Sequence, residues 1–401
     1  MKGKQYDFDT VVNRRDTSAM KYTLLQESFG SSDLLPLWIA DMDFPCCPDI
    51  TQALVNRLQQ CPVYGYTDVM PDYWESVIDW QRERNGFEFT RDQVCYIGGI
   101  VNGFGLALNY FTAPGDKVVI QEPVYHPFRY LIEGNGRVVA NNALQRTPDG
   151  FYRMDLEGLE RIFEQERPRM MVLCNPHNPV GIAWSPDVLR QVAALARRFG
   201  VVVFSDEIHG DLMLYGHRHT PFLTVSDDAA AVGLVMGAPS KTFNIAGIVS
   251  SWCVMKNLDL GSEGKPQKFF RWLGINEQNT PNFLSMTATT AAYRHGGEWL
   301  KQCLQYIEAN IDHVASYCRE HLSGITAIKP QASFLVWLDC TALHLTHDQL
   351  MDLMVNKAKL ALNDGATFGE AGNGFLRLNV ATPRSVLDEA LHRLEAAVKQ
   401  L

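Results

Sequence analysis

The sequence predicts an α/β protein on three observations. From about residue 90 to 260, strand-like apolar runs alternate with helix-like segments, the pattern of a mainly parallel sheet with crossover helices. The apolar runs end in polar clusters, as strands do where an open α/β sheet meets a ligand. From about residue 285 the texture changes to one long helical stretch followed by separate strands, which predicts a second, smaller α+β unit.

Taken in order, Gly98-Gly-Ile-Val-Asn-Gly103 opens a helix running to about Tyr110. Lys117–Ile120 is a strand that runs into Glu122-Pro-Val-Tyr-His-Pro127, and Met170–Leu173 a strand that runs into Asn175-Pro-His-Asn-Pro-Val-Gly181. The clearest helix is Ser185 to Phe199. Ser185 can cap it, Pro186 suits the first turn and Gly200 can end it, while Val188, Leu189, Val192, Leu195, Ala196 and Phe199 form one apolar stripe. Strand Val201–Phe204 then runs into Ser205-Asp-Glu-Ile-His209, and Leu234–Met236 into Gly237-Ala-Pro-Ser-Lys-Thr-Phe-Asn-Ile-Ala-Gly247. The helical stretch covers roughly 281 to 322. Strands at 333–338 and 374–380 and a terminal helix from about Ser385 complete the smaller unit.

At 401 residues the chain exceeds one typical core, which suggests about two to three domains. Hydrophobic content of 46% beside 20% charged residues is ordinary for a soluble globular protein. The net charge is −9 with no basic tract, which argues against nucleic acid as a partner. Nine scattered Cys without a Cys-x-x-Cys pair fit free thiols in a reducing compartment. The N-terminal stretch has no apolar core of a signal peptide, and no apolar run reaches the ~20 residues of a membrane span. The expectation is a cytoplasmic enzyme.

Lys241 is the most informative residue. A lysine in a tight loop after a buried strand can be desolvated, which lowers its pKa and frees the amine as a nucleophile able to form a Schiff base. A solvated loop lysine is the alternative reading. Tyr125, Asn178 and Asp206 occupy corresponding loops. A stacking ring, an amide, a carboxylate and an amine are the parts a pyridoxal 5′-phosphate site needs. Each also has a plain reading: a core tyrosine, a turn asparagine before proline, a helix cap or surface acid. Gly98 and Gly99 open a helix whose first amides, at Ile100 and Val101, could hold a phosphate, with Ser240 adding a hydroxyl. Arg377 lies in a short strand and needs a partner, either a substrate α-carboxylate or a structural acid. His209, His217 and His219 have no zinc spacing, so no metal site is expected.

The order Tyr125, Asn178, Asp206, Lys241, Arg377 resembles the fold-type I pyridoxal-phosphate enzymes of the class I/II aminotransferase superfamily. Finer motifs resemble its MalY/PatB-type cystathionine β-lyase (C–S lyase) branch: Pro36-Leu-Trp-Ile-Ala-Asp-Met-Asp-Phe44, Tyr64-Gly-Tyr66, Ser205-Asp-Glu-Ile-His209 and Ser240-Lys-Thr-Phe-Asn-Ile-Ala-Gly247. The resemblance implies an aspartate aminotransferase-like fold. Its large cofactor-binding domain would span 48–285, and its small domain would join 1–47 to 286–401. It implies that Lys241 carries the cofactor and removes the α-proton, that Asp206 pairs with the ring nitrogen, and that Asn178 reaches the phenolic oxygen and the substrate carboxylate. Tyr125 would stack on the ring, and Arg377 and the Ala40 amide would bind the carboxylate. Tyr64 would reach the phosphate of a neighbouring subunit in a homodimer with shared sites. His209 stands where many aminotransferases carry Tyr, as in the β-lyase branch, and Val249 stands where many carry an Arg for the phosphate. The activity implied is α,β-elimination of a sulfur amino acid to thiol, pyruvate and ammonia. The alternative is an aminotransferase; a non-catalytic binding protein would not need Lys241.

Overall fold

In the computed structural model, residues 4–148, 150–259 and 265–401 are described. Residues 1–3 of the N-terminal stretch and of the expected 1–47 segment, and 149 and 260–264 of the expected 48–285 segment, lie outside the described residues. A seven-stranded sheet forms the larger layer. Its strands in chain order are β1 (Val94–Ile97), β2 (Lys117–Ile120), β3 (Val138–Asn141), β4 (Met170–Cys174), β5 (Val202–Asp206), β6 (Gly233–Gly237) and β7 (Ser251–Val254). In space they run β1-β7-β6-β5-β4-β2-β3. Neighbours from β6 to β3 pair in parallel, while β7 runs antiparallel to β6 and β1.

The central strands are buried along their whole length because both faces of the sheet are covered. Along β4, Met170, Val172 and Cys174 join one core, with Phe104, Phe128 and Phe204; Met171 and Leu173 join the other, with Val203, Val235 and Trp252. This is the two-residue alternation of a pleated strand. The parallel strands β4, β5 and β6 all end at one edge, so Asn175, Asp206 and Ala238 begin their loops on the same side.

Helices follow their local signals. Pro186–Phe199 is capped by Ser185, whose side chain accepts from Val188 N at 3.3 Å, and Gly200 closes it at φ 70°. Ile100–Phe111 begins after Gly99 at φ 98°. It approaches the sheet closely at Gly103, where a Cβ would stand 2.5 Å from Met236 Sδ. The stretch expected as one helix over 281–322 is two, Phe283–His295 and Gly297–His321. The division is at Gly296, where ψ −4° turns the chain and the ring of Phe243 lies 2.3 Å from where a Cβ would be.

The second sheet has β8 (Thr326–Ile328), β9 (Leu335–Asp339), β10 (Asn363–Asp364) and β11 (Phe375–Asn379), in the order β8-β9-β11-β10 and antiparallel throughout. Helices Gly297–His321 and Arg384–Val398 accompany it. The N-terminal segment reaches this unit: Leu35–Pro36 pairs in parallel with Leu360–Ala361, Asn379 N donates to Leu37 O, and Asp43 N to Ala381 O. No helix among the described residues is long and apolar enough to cross a membrane.

Gly237 ends β6, just ahead of the Lys241 turn, with Trp252 of β7 directly beside it. A Cβ at Gly237 would stand 2.2 Å from Trp252 Cζ2. Gly237→Ala is expected to destabilise the chain by about 1–3 kcal/mol through overpacking, read as a lower midpoint in urea unfolding; an unchanged midpoint would show that the indole can move aside.

Candidate active site

The loops leaving β4, β5 and β6, together with the first turn of Ile100–Phe111, enclose a cavity of about 170 Å³. Its walls include Ala40, Ile100, Val101, Tyr125, Asn178, Asp206, His209, Ser240 and Lys241, so nine of the residues singled out in the sequence meet at one place. Cys174 and Ile208 also line it and were not foreseen. Cys174 is the last residue of β4, one position beyond where the apolar run was expected to end, so its place at the strand terminus was the available signal.

Lys241 lies in the short helix Pro239–Thr242 that follows β6. Its Nζ donates to Ala40 O at 2.6 Å. The expectation for Ala40 concerned its amide; what faces Lys241 is the carbonyl, because an amine seeks an acceptor. Burial lowers the Lys241 pKa to about 8, ahead of the opposing pull of Asp41 and the push of Arg377. Roughly a tenth of the amine is then neutral at pH 7, far more than for an ordinary lysine, and the neutral form is the one a nucleophile or base requires.

Asp206 ends β5 and is 5% exposed. One carboxylate oxygen accepts from Ile208 N at 3.0 Å. Burial raises its pKa to about 7, with the neighbouring Glu207 charge adding to the rise and Lys241 opposing it. Glu207 itself points away, paired with His219 at 2.7 Å and accepting from Phe222 N at 2.8 Å. A buried acid held so far from its ordinary range lacks a close cation, and a protonated ring nitrogen would supply one.

Arg377, on β11, is 3% exposed and has no carboxylate partner among the described residues. Nη1 donates to Asn178 Oδ1 at 3.1 Å and Nη2 to Trp38 O at 3.0 Å, while the guanidinium lies 5.0 Å over the Phe368 ring. Its Nε is buried without a hydrogen-bond partner. Burial lowers its pKa to about 10, so it stays cationic at neutral pH. A buried arginine held only by carbonyls and a ring is a receptor for an anion. Since Arg377 occupies the Asn178 carbonyl, the Asn178 amide NH2 is the end left for a ligand.

The remaining groups are polar but neutral. His209 is buried, and burial with the Lys241 and Arg377 charges lowers its pKa to about 3; its Nδ1 has no partner. Tyr125 is fixed by its own N–H to Asn178 O at 3.1 Å and by its ring edge against Phe128, and burial raises its pKa. Ile100 and Val101 present first-turn amides, which have no acceptor within the helix. Lys241 is the only Lys or Arg among the described residues lining the cavity. Val249, where a phosphate-binding Arg was noted as missing, is 45% exposed and offers no charge. Tyr64 lies outside the cavity, 60% exposed and stacked on Phe283 at 5.6 Å. His217 is exposed, so the three histidines at 209, 217 and 219 go to three different places, and no metal-binding cluster of His, Cys, Asp or Glu occurs among the described residues.

The donor set fits pyridoxal 5′-phosphate on this structure's own observations: a depressed amine, an acid in want of a cation, an orphaned imidazole nitrogen and a free helix start, all on one cavity. Comparison with known proteins agrees. The family model for aminotransferase class I and II matches residues 32–394. Cystathionine beta-lyase PatB of Bacillus subtilis (strain 168) is 39% identical over 98% of this chain and 100% of its own length. Protein MalY of Escherichia coli (strain K12) is 31% identical over 98% and 99%. The crystal structure of cystalysin from Treponema denticola, which contains a pyridoxal 5′-phosphate cofactor, superposes with a TM-score of 0.93 at 31% identity, covering 99% of this chain and 100% of that one.

The Asp206 environment has a consequence for the cofactor-free protein. An acid whose folded pKa is raised binds more protons folded than unfolded between 3.8 and about 7, so this group's contribution to stability falls as pH rises through that window. Urea unfolding of the cofactor-free chain across that range is expected to show this fall, and Asp206→Asn to flatten it. An identical pH slope in the variant would mean that Asp206 is not the group responsible.

Proposed function

The chain belongs to the class I and II aminotransferase family, in its PatB/MalY-type branch, and from that premise we propose that it is a pyridoxal 5′-phosphate-dependent C–S β-lyase that cleaves cystathionine- or cysteine-type substrates to thiol, pyruvate and ammonia. The observation that carries this is one cavity lined by the depressed amine of Lys241, the raised acid of Asp206 and a helix start, with the buried, carboxylate-free Arg377 just behind its Asn178 wall.

The bound cofactor supplies a covalent anchor for the substrate nitrogen and a ring that draws off the electrons left when the α-proton leaves. The protein's residues do the rest. Arg377 and the Asn178 NH2 bind the substrate α-carboxylate and so fix which Cα bond faces Lys241. The Lys241 amine takes the α-proton; its depressed pKa leaves it neutral often enough to act as a base. Loss of that proton lets the Cβ–S bond break and the thiolate leave. Asp206 would pair with the cofactor's ring nitrogen and, once ionised, keep it protonated. His209, neutral at working pH, accepts or donates a hydrogen bond without adding charge. Tyr125 would cover the cofactor's ring face, and the amides of Ile100 and Val101 with Ser240 would hold its phosphate.

We also read the enzyme as a cytoplasmic homodimer. Supporting the homodimer, Tyr64 and Tyr66 are exposed, 60% and fully, beside exposed Val63, and among the described residues the cavity wall has no cation besides Lys241. A tyrosine from a second copy would add a donor there. For the division of the chain, we propose that the border falls at the Gly296 break rather than at 285, because Phe283–His295 packs against Pro48–Gln60 and Pro71–Asn85.

The test is to add cystathionine or cysteine to the purified holoenzyme with no 2-oxo acid present. Continued, stoichiometric release of pyruvate and thiol is expected. Conversion of the cofactor to its amine form without pyruvate would make the protein an aminotransferase instead. Lys241→Ala is expected to abolish turnover, and elimination that persists would remove Lys241 from its role. Arg377→Ala is expected to weaken substrate binding by about 2–5 kcal/mol, read as a raised KM; an unchanged KM would make Arg377 structural.

A further inference from the structure

Lys21 is completely buried, at 0% exposure, on the four-residue helix Met20–Thr23. Burying an ammonium is costly unless it is paired, and Lys21 is paired generously. Its Nζ lies 2.9 Å from Asp43 Oδ1 and 3.2 Å from Asp41 Oδ1, and it donates to Asp41 O at 3.3 Å. Arg14 closes the group from the other side, at 2.5 Å from Asp41 and 3.0 Å from Asp43. The Lys21 carbonyl in turn accepts from Trp38 Nε1 at 3.0 Å. Every one of these contacts grips the segment 38–43, whose Ala40 O holds the Lys241 amine.

We propose that Lys21 is a positioning residue for Lys241, acting through the 38–43 segment: it clamps that segment so that Ala40 O faces the amine, and it compensates the charge that Asp41 brings close to it. The inference rests on the reading of Lys241 as the reactive amine. The groups that face this region are Arg14, Tyr22, Asp41 and Asp43 around Lys21, and Asp41, Asp206, His209 and Arg377 around Lys241. Among them Asp41 is the carboxylate shared by both lysines. Removing Lys21 therefore leaves the Lys241 ammonium facing a less compensated anion, which favours its charged form. Removing the Asp41 charge does the opposite.

A residue that merely stabilises the fold would not move the Lys241 titration in opposite directions in the two variants. The full-length cofactor-free chain is acetylated with limiting acetic anhydride across pH, and the Lys241 peptide is followed by mass spectrometry. Lys21→Gln is expected to raise the Lys241 midpoint by about half a pH unit or more, and Asp41→Asn to lower it by a similar amount. The pH midpoint of the cofactor's visible absorbance in the holoenzyme is expected to move with the same signs. Midpoints within about 0.2 unit of the unsubstituted chain, or shifts of one sign in both variants, would overturn the proposal. If Lys21→Gln does not fold, Lys21→Met, which removes the same charge with an apolar side chain suited to the buried site, is read in its place: a raised Lys241 midpoint supports the clamp and an unmoved one overturns it. The labelling reads the amine itself, so elimination persisting in Lys241→Ala would refute the base assignment without touching this result.

Discussion

Buried charge without a matching counter-charge is the constraint around which this protein is arranged. Asp206, Lys241 and Arg377 are withdrawn from water, and the groups that touch them are mostly neutral: an amide N–H, a backbone carbonyl, a side-chain amide and an aromatic face. A fold under selection for stability alone would pair these charges or replace them with apolar side chains. Here the unfavourable solvation is concentrated at one edge of a sheet. It can be relieved there by a ligand carrying a cationic ring nitrogen, a reactive carbonyl and an anionic carboxylate.

The rest of the architecture makes that concentration possible. Strands β4, β5 and β6 are buried along their whole length, so they hold the loops at their ends rigidly. Glycine allows the close approaches: Gly103 brings the helix start over Met236, and Gly237 lets the Lys241 turn begin against Trp252. The second sheet contributes Arg377 from a strand rather than a loop, with Phe368 bracing its guanidinium. Between the two sheets runs the 38–44 segment. Arg377, Asn363 and Asn379 hold it from one side, and Asn244 and Lys241 from the other.

What the sequence disclosed, and what it did not, follows the range of the physical signal. Tyr125, Asn178, Asp206 and Lys241 were legible because each sits just after an apolar run, and strand-then-cluster is a local pattern. The helix ending at Phe199 was legible from its cap, its proline and its stripe. The Gly296 division was hidden, because the ring that crowds that position, Phe243, comes from a distant part of the chain. Strand β7 runs against its neighbours, which no composition announces. Lys21 was invisible for a similar reason. A lysine on a four-residue helix has no periodicity to betray burial, and its partners Asp41 and Asp43 approach it only after the chain folds back. The Ala40 contact was illegible in another way, since the working atom belongs to the backbone.

That last point reaches beyond the active site. The 38–44 segment is fastened through the carbonyl oxygens of Trp38, Ile39, Ala40, Asp41, Met42 and Phe44, which accept from side chains elsewhere in the chain. A point mutation within the segment exchanges a side chain but leaves each of these acceptors in place. The weak points of this backbone fastening therefore lie with its donors, Asn244, Asn379, Arg377 and Lys21, whereas the Arg14 and Lys21 ion pairs depend on the segment's own Asp41 and Asp43. Single-letter changes at Asn244, Asn379 or Arg377 that loosen the segment will map to codons hundreds of bases from the stretch they disturb.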